Sequence, residues 1–445
     1  MVKVTFNSKN KNFVPPLHCN MVQFLQQNAL SQNLTNMKSF TLTIALLVIL
    51  LAAPSCSKDA TESPKEPIKI DLPFKSSTVI AQGNAFGIEL FKQVATGSLD
   101  NLMLSPLSAS TALTMLMNGS EANTKTQLGQ MLGYGSMNQT EVNAIYKSLV
   151  SQLLVADPSV ELKLANAVFY HNQFLVKPTF ITTLSTDFMA QTQALDFRSS
   201  NALKTINNWA SDNTNGKIEK VLDQIDPNAV MFLMNALYFK GIWTNQFDKN
   251  QTKNASFTLS SGESIQVPTM HGDIPYKTFT GENFVAIELA YGRQNFVMDI
   301  IMPTNSLESF LPQFDAELWN EIANGFSKIT NPSEAPLAMP RFKFSYEKVL
   351  NNQLKAMGMT DAFDPSLANL TPISDEDIFV SFVKQNTYVD VNEEGTEAAA
   401  VTTIGIELTS MPTGVVINKP FLFVIREQTT NTLLFMGQVN NPSQN

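Results

Sequence analysis

The sequence has few of the residues that build metal centres or disulfide scaffolds. Its 445 residues include two cysteines, Cys19 and Cys56, and three histidines, His18, His171 and His271. Two distant cysteines cannot supply a thiolate zinc cluster, and three histidines argue against a multi-histidine metal centre. We therefore expect no metal and no other cofactor, and a fold held together by packing rather than by disulfides.

Basic runs are also missing. Lys and Arg number 30 against 39 Asp and Glu, which gives a formal net charge of −9, and no run of five bases occurs. This pattern argues against a protein that tracks nucleic acid by neutralising phosphates. The hydrophobic fraction of 44% is enough for a large core, which excludes disordered and collagen-like classes.

A short apolar run, from Ile44 to Ala53, is typical of targeting rather than of a folded core. It follows Lys38 and is succeeded by Pro54, Ser55 and Cys56, which is the order of parts in a secretory signal. Its ten residues are too few to span a bilayer, which needs about 20. We expect a signal peptide over residues 37–55. Residues 1–36 lack signal character and are consistent with a start codon placed too far upstream.

The position of Cys56 resembles the lipobox of bacterial lipoproteins, in which the cysteine after the small residues carries the lipid. The resemblance implies a membrane anchor on Cys56, at the outer membrane or cell surface of a Gram-negative bacterium. The alternative is an ordinary secreted, extracellular protein. Residues 56–77 contain three prolines and mixed charges, which predicts a flexible tether. The folded domain is then expected over residues 78–445.

Helical signals dominate the first half of that domain and strand signals the second. Ser105 followed by Pro106 predicts a helix start and Gly119 its end, and residues 140–154 carry an apolar stripe at helical spacing. Stretches rich in β-branched and aromatic residues predict strands at 229–240, 284–290, 296–302, 378–392, 420–426 and 433–439. Helices first and long strands later predict one large domain of the α+β class.

The segment 392–418 combines features of a loop and of a strand. It is rich in small residues, and loops longer than about 12 to 15 residues are usually functional or disordered. Even-numbered positions from Thr396 to Ile406 are uncharged, whereas Glu397 and Glu407 occupy odd-numbered positions. Side chains alternate between the two faces of a strand. The pattern therefore predicts a loop that is exposed in one state and a sheet strand in another.

This segment resembles the hinge of the serpins. The matching residues are Glu393, Glu394, Gly395, Thr396, Glu397, Ala398, Ala399 and Ala400. Further matches follow in order at 101–108, 235–243, 418–421 and 434–437. The resemblance implies the serpin fold, in which helices of the N-terminal half pack on large, mostly antiparallel sheets and a reactive-centre loop, here about residues 393–417, is exposed.

The resemblance also implies a suicide-type protease inhibitor rather than an enzyme, with no catalytic residues of its own. The target protease attacks the loop and forms an acyl-enzyme, and the cleaved loop then inserts into the main sheet and traps it. At the hinge, small uncharged side chains such as Thr396, Ala398 and Ala400 cost little to bury, whereas a charge would cost several kcal/mol.

The family's spacing places the cleaved bond fourteen residues past the hinge glycine, at Thr409–Ser410, with Leu408–Thr409 as the alternative. Threonine preceded by leucine suits elastase-like or subtilisin-like serine proteases, and also papain-like cysteine proteases. No Lys or Arg occurs between Gly395 and Asn418, which disfavours trypsin-like targets. The expected partner is therefore an endopeptidase, bound covalently by a monomeric inhibitor.

Two more sites carry over by resemblance. The shutter, a polar cluster under the main sheet, comprises Ser105, Ser108 and Asn235, with Gln385 where the family has histidine. Glutamine can donate and accept hydrogen bonds but cannot become charged, which argues against a pH-sensitive shutter.

The breach, where the loop enters the sheet, comprises Trp243 and an ion pair of Arg341 with Glu393. The competing hypotheses are a non-inhibitory serpin, acting as a binding or chaperone-like protein, and a surface adhesin that merely displays the fold. The small, uncharged side chains at Thr396, Ala398 and Ala400 favour the inhibitor, whereas Gln385 is the one shutter residue that departs from the family.

Overall fold

The computed structural model describes residues 1–6, 66–135, 137–396 and 414–444. Several predicted features lie outside these ranges: the signal peptide, Cys56, the hinge residues Glu397 to Ala400, and Leu408, Thr409 and Ser410. In the ranges that are described, no helix is both long and apolar enough to cross a membrane.

Nine α-helices occur in the described residues, and α2 is the one buried along nearly its whole length. The described α-helices are α1 (Ser76–Ala95), α2 (Pro106–Asn118), α3 (Ala122–Met131), α4 (Gln139–Leu153), α5 (Pro178–Asp187), α6 (Ser200–Asn213), α7 (Leu307–Phe310), α8 (Ala316–Ser327) and α9 (Asn351–Ala356). Helix α2 begins as predicted, because Ser105 Oγ accepts the Ser108 N–H and Pro106 occupies the first position. All its residues from Pro106 to Met117 are buried, which explains why it carries no charge.

The described strands are β1 (Val2–Phe6), β2 (Leu102–Leu104), β3 (Val160–His171), β4 (Gln191–Leu195), β5 (Ala229–Ile242), β6 (Lys253–Thr258), β7 (Ser264–Thr280), β8 (Phe284–Tyr291), β9 (Phe296–Pro303), β10 (Ser333–Pro340), β11 (Phe342–Val349), β12 (Ile378–Val391), β13 (Gly395–Thr396), β14 (Val415–Val416), β15 (Phe421–Glu427) and β16 (Thr432–Val439). All six predicted strands are present, with ends within two residues of those expected. The α+β class is confirmed.

Two sheets form the body. The main sheet runs β11, β12, a central position, β5, β3 and β4. The second sheet runs β14, β10, β7, β8, β9, β15, β16 and β2, with β6 beside β7. Helix α2 contacts both β5 and β16, so it lies between the sheets. The position between β5 and β12, called the central slot below, holds β13 at one end and β1 further along.

Strand β1 is the main departure from the sequence-based expectation, which gave residues 1–36 no structural role. Val2 pairs with Val383 on β12 and with Leu233 on β5, antiparallel to both strands. Val2 and Val4 are fully buried. Five residues are too few to identify as a strand from sequence alone, and this strand depends on partners more than 200 residues away.

The last part of the predicted tether is attached to the body from residue 66 onward. The Ile68 N–H donates to Asn295 Oδ1 at 2.8 Å, and Asn295 Nδ2 donates to the Ile68 carbonyl at 2.7 Å. Asn295 is fully buried. This reciprocal pair fixes the backbone ahead of α1, so the stretch that can act as a tether is shorter than predicted.

Candidate functional site

A tight turn joins β12 to β13, the short strand formed by the hinge residues Gly395 and Thr396. The Asn392 N–H donates to the Gly395 carbonyl at 2.9 Å, and the Gly395 N–H donates to the Asn392 carbonyl at 3.2 Å. Gly395 has φ of 154°, and a Cβ at this position would lie 2.0 Å from the Gly241 carbonyl oxygen. Only glycine fits here, because both the conformation and the close approach of β5 exclude a side chain.

Thr396 lies inside the main sheet. It pairs with Val391 on β12 and with Gly241 on β5, and only 4% of its surface is exposed. Its hydroxyl lies 2.5 Å from the hydroxyl of Tyr291. Burial raises the pKa of Tyr291, so its hydroxyl stays protonated and available as a hydrogen-bond donor. The hinge therefore starts as a strand of the central slot.

The breach residues surround this entry point. Arg341 Nε donates to Glu393 Oε1 at 2.6 Å, and the Glu393 carboxylate is fully buried. The hydroxyl of Thr252 donates to the same oxygen. A buried carboxylate needs such partners, because its desolvation is costly. The structure thus brings together the two charged residues that sequence reasoning paired.

Trp243 holds the turn from the β5 side. Its Nε1–H donates to the Asn392 carbonyl at 2.9 Å, and its backbone N–H donates to the Glu394 carbonyl at 2.9 Å. The indole stacks on the Tyr291 ring, with centroids 4.3 Å apart and planes 12° from parallel. An ion pair of Lys249 with Glu394 adds a further contact. Loop entry is therefore set by one contiguous group of contacts.

The shutter residues do not form a single cluster of side chains. Gln385 contacts the backbone of Ser105: its Oε1 accepts the Ser105 N–H at 3.0 Å and its Nε2 donates to the Ser105 carbonyl at 2.8 Å. Ser105 Oγ donates to the Leu434 carbonyl at 2.7 Å. Asn235 Nδ2 instead donates to Asn166 Oδ1 at 2.7 Å.

The four shutter residues nevertheless line one cavity. A cavity of about 30 Å³ is lined by Ser105, Ser108, Asn235, Gln385 and Met1, among others. It lies between β5 and β12, which supply Asn235 and Gln385 respectively. The predicted shutter therefore lies where the two strands must separate to admit another strand.

Sequence reasoning missed Tyr291, Thr252, Lys249 and Asn166. Asn166 carries a signal in retrospect, since it is a polar residue in the otherwise apolar stretch of β3 that pairs with Asn235. The sequence offers no comparable signal for Tyr291 or Thr252, because both reach the hinge only through the packing of the second sheet. Together, these residues can hold an extended segment of backbone between β5 and β12, with Thr396 fixed at the point where that segment enters the sheet.

Comparison with known proteins agrees with this geometry. The family model described as "Serpin (serine protease inhibitor)" matches residues 81–442. The leukocyte elastase inhibitor of Xenopus laevis is 33% identical over 370 residues, covering 80% of this chain and 97% of that protein. Members of the family are protease inhibitors rather than enzymes, though some are non-inhibitory.

Solved structures show the same fold. The thermophilic serpin tengpin in its native state has a TM-score of 0.72 at 27% identity, covering 85% of this chain and 97% of that one. Thyroxine-binding globulin in complex with thyroxine has a TM-score of 0.74 at 26% identity, covering 83% and 100%. On its sequence match, its fold and the arrangement of hinge and breach, this chain belongs to the serpin family.

Proposed function

We propose that the protein is a suicide-type inhibitor of serine endopeptidases that traps its target by inserting the cleaved loop into the main sheet. The observation that carries the proposal is Thr396, the last hinge residue that the structure describes, which is paired on both sides between β12 and β5. The loop has therefore already entered the sheet at this end of the central slot, which is where insertion must begin.

The chemistry follows ordinary acyl transfer. The protease's serine oxygen attacks the Thr409 carbonyl carbon, and the bond from that carbon to the Ser410 nitrogen breaks. The new ester joins the protease to Thr409, and the Ser410 amine leaves with a proton supplied by the protease's general acid. Insertion then pulls the ester-linked protease along the body before water can release it.

The target class rests on the loop sequence. Thr409 with Leu408 before it suits elastase-like and subtilisin-like serine proteases, and the same pattern extends to papain-like cysteine proteases. The similarity to a protein named leukocyte elastase inhibitor supports this choice. The cleaved bond lies outside the described residues, and Leu408–Thr409 remains the alternative register.

The second candidate is a non-inhibitory serpin that binds a ligand or acts like a chaperone. The similarity to thyroxine-binding globulin in complex with thyroxine favours it, as that structure shows the fold in a binding role. Against it stand the small, uncharged side chains at Thr396, Ala398 and Ala400, positions at which non-inhibitory members tend to carry bulky or charged residues. Export and a lipid anchor on Cys56 are part of the main proposal, since the signal-like segment ahead of Cys56 would carry the inhibitor across the inner membrane.

Mixing residues 57–445 with a panel of elastase-like, subtilisin-like and papain-like proteases tests the proposal. Denaturing gels would show a complex of combined mass that survives SDS, and mass spectrometry of the released peptide would place the cut after Thr409. Cleavage without such a complex, across the whole panel, would favour the binding role.

A further inference from the structure

We infer that strand β1 is an internal occupant of the central slot and closes it against the reactive loop. The inference rests on the proposed function, because it concerns the strand position that the cleaved loop must take.

The register places β1 on the path of the loop. Thr396 lies opposite Gly241 on β5 and Val391 on β12. Val2 lies opposite Leu233 and Val383, which is eight residues further along both strands. A loop that continued without a break from Thr396 would bring Ile404 to the place that Val2 occupies. The pairing with β5 and the pairing with β12 both place Ile404 at the position of Val2.

The side chains of β1 fit that place. Val2 and Val4 are β-branched, apolar and fully buried. By the β5 register, the loop residues that would take their positions are Ile404 and Ile406, which have the same character. Strand β1 therefore carries β-branched apolar residues at alternate positions, as the loop does at Ile404 and Ile406.

The opposite face of β1 is also anchored. Lys3 Nζ lies 3.2 Å from Asp226 Oδ2 and 5.6 Å from the centre of the Phe382 ring, and the Lys3 side chain is only 8% exposed. The Thr5 hydroxyl contacts the hydroxyl of Ser381. A nearly buried ammonium keeps its place only with such partners. These contacts favour a strand held in one register rather than one that slides.

Beyond the strand, Met1 reaches the shutter. Its carbonyl accepts the Lys384 N–H at 2.8 Å, and its amine donates to the Lys384 carbonyl at 2.6 Å. Met1 also lines the cavity that Ser105 and Gln385 share. With β1 in place, β5 and β12 are bridged by hydrogen bonds on both sides, so the loop cannot extend past this point without displacing it.

The closure can be reversed by processing. A cut ahead of Cys56, as the signal-like segment predicts, would separate β1 from the body and open the slot. The chain that keeps β1 would be closed, and the processed chain would be open. A charge introduced at Val4 should mimic this opening in the full chain.

The test uses the full chain, purified without export, and its Val4→Asp variant. The matched control is Asn10→Asp, which adds the same charge to the same terminal segment outside β1. The probe is a fluorescent synthetic peptide with the sequence of residues 396–406, whose uptake into the sheet needs no protease. Hydrogen–deuterium exchange on residues 2–6 reports whether β1 is docked.

We expect protected β1 amides and slow peptide uptake in the parent and the control. In Val4→Asp the protection should be lost and uptake should accelerate at least about tenfold, because a carboxylate cannot be buried there. Lys3→Glu, which faces Asp226 with a like charge, should act similarly, and adding Asp226→Lys should restore closure. That charge swap keeps the test valid where Val4→Asp fails to fold.

Equal peptide uptake in all variants, or unprotected β1 amides in the parent, would overturn the inference. Trapping of protease is measured separately on residues 57–445, which lack β1. If residues 57–445 never trap protease but Val4→Asp takes up the peptide faster than the parent, the inhibitor proposal is wrong. The inference that β1 closes the central slot is then still supported.

Discussion

Gln385 forms two hydrogen bonds with one residue, Ser105, accepting from its N–H and donating to its carbonyl oxygen. The side-chain amide thus pairs with the backbone at the start of α2 in the way another peptide group would. No single ring nitrogen of histidine could do both.

Gln385→Glu should therefore destabilise the protein by about 2 kcal/mol near pH 8, because the Ser105 carbonyl loses its donor. The loss should shrink toward pH 5, where a protonated carboxyl group can again donate. Urea unfolding at several pH values measures this, with the exposed Gln191→Glu as control. A loss that does not change with pH would contradict the assigned contact.

Thr396→Arg should convert the inhibitor into a substrate. Thr396 is almost fully buried against Tyr291, so a guanidinium there would block the start of the inserted strand. The number of inhibitor molecules consumed per trapped protease should rise at least about tenfold. Glu397→Arg, on the opposite face of the predicted strand, is the matched control and should change far less. Undiminished trapping by Thr396→Arg would count against strand insertion.

Arg341→Met should destabilise the breach by about 2 to 4 kcal/mol, because it leaves the buried Glu393 carboxylate short of a counter-ion. Combining it with Glu393→Gln should recover part of the loss. The control is Lys343→Met, whose ion pair with Asp390 spans 3.5 Å and is 56% exposed on the lysine side. That pair should contribute less than about 1 kcal/mol. Unfolding midpoints that rank the two single variants equally would argue against a special role for Arg341.

Thr409→Arg should create a trypsin inhibitor, since trypsin-like pockets select a cation at the cleaved position. The association rate with trypsin should rise at least about a hundredfold over the parent. Leu408→Arg serves as the register control and should gain much less. A larger gain for Leu408→Arg would move the cleaved bond one residue upstream.

Asp299 should make stability depend on pH. Burial raises its pKa to about 7, with Arg426 opposing the shift and Glu288 reinforcing it. The folded state then binds a proton that the unfolded chain, with a pKa of about 3.9, releases. The free energy of unfolding should fall as pH rises from about 4 to about 7.

Asp299→Asn should flatten this slope, whereas the exposed Asp212→Asn should leave it in place. Calorimetric or urea melts at half-unit steps of pH would show the difference. An identical slope in Asp299→Asn and the parent would assign the pH dependence to other groups.

Much of this architecture could be predicted from local patterns. β5 is a long apolar stretch with several aromatic residues, and β12 is rich in β-branched and aromatic residues, so both strands follow from composition. The helix start at Ser105 follows from capping chemistry. The contact of Arg341 with Glu393 was reached through family resemblance rather than through physics. The partners of Gln385 and Asn235 were not foreseen, because each bonds to a group, the Ser105 backbone or Asn166, that only the packed sheet brings near.

Strand β1 could not have been predicted in the same way. Its sequence, VKVTF, alternates apolar and polar residues but over only five positions, and its stability comes from β5 and β12 on either side. Short strands acquire their structure from neighbours rather than from propensity.

That dependence also sets an order of events during synthesis. Residues 2–6 leave the ribosome more than 370 residues ahead of residues 378–391, which form one wall of their slot. The contact between Val2 and Val383 is among the most non-local a chain of this length can form, and such contacts form slowly. Strand β1 can therefore complete its pairing only late in synthesis, and until then the edge that faces β12 is unpaired.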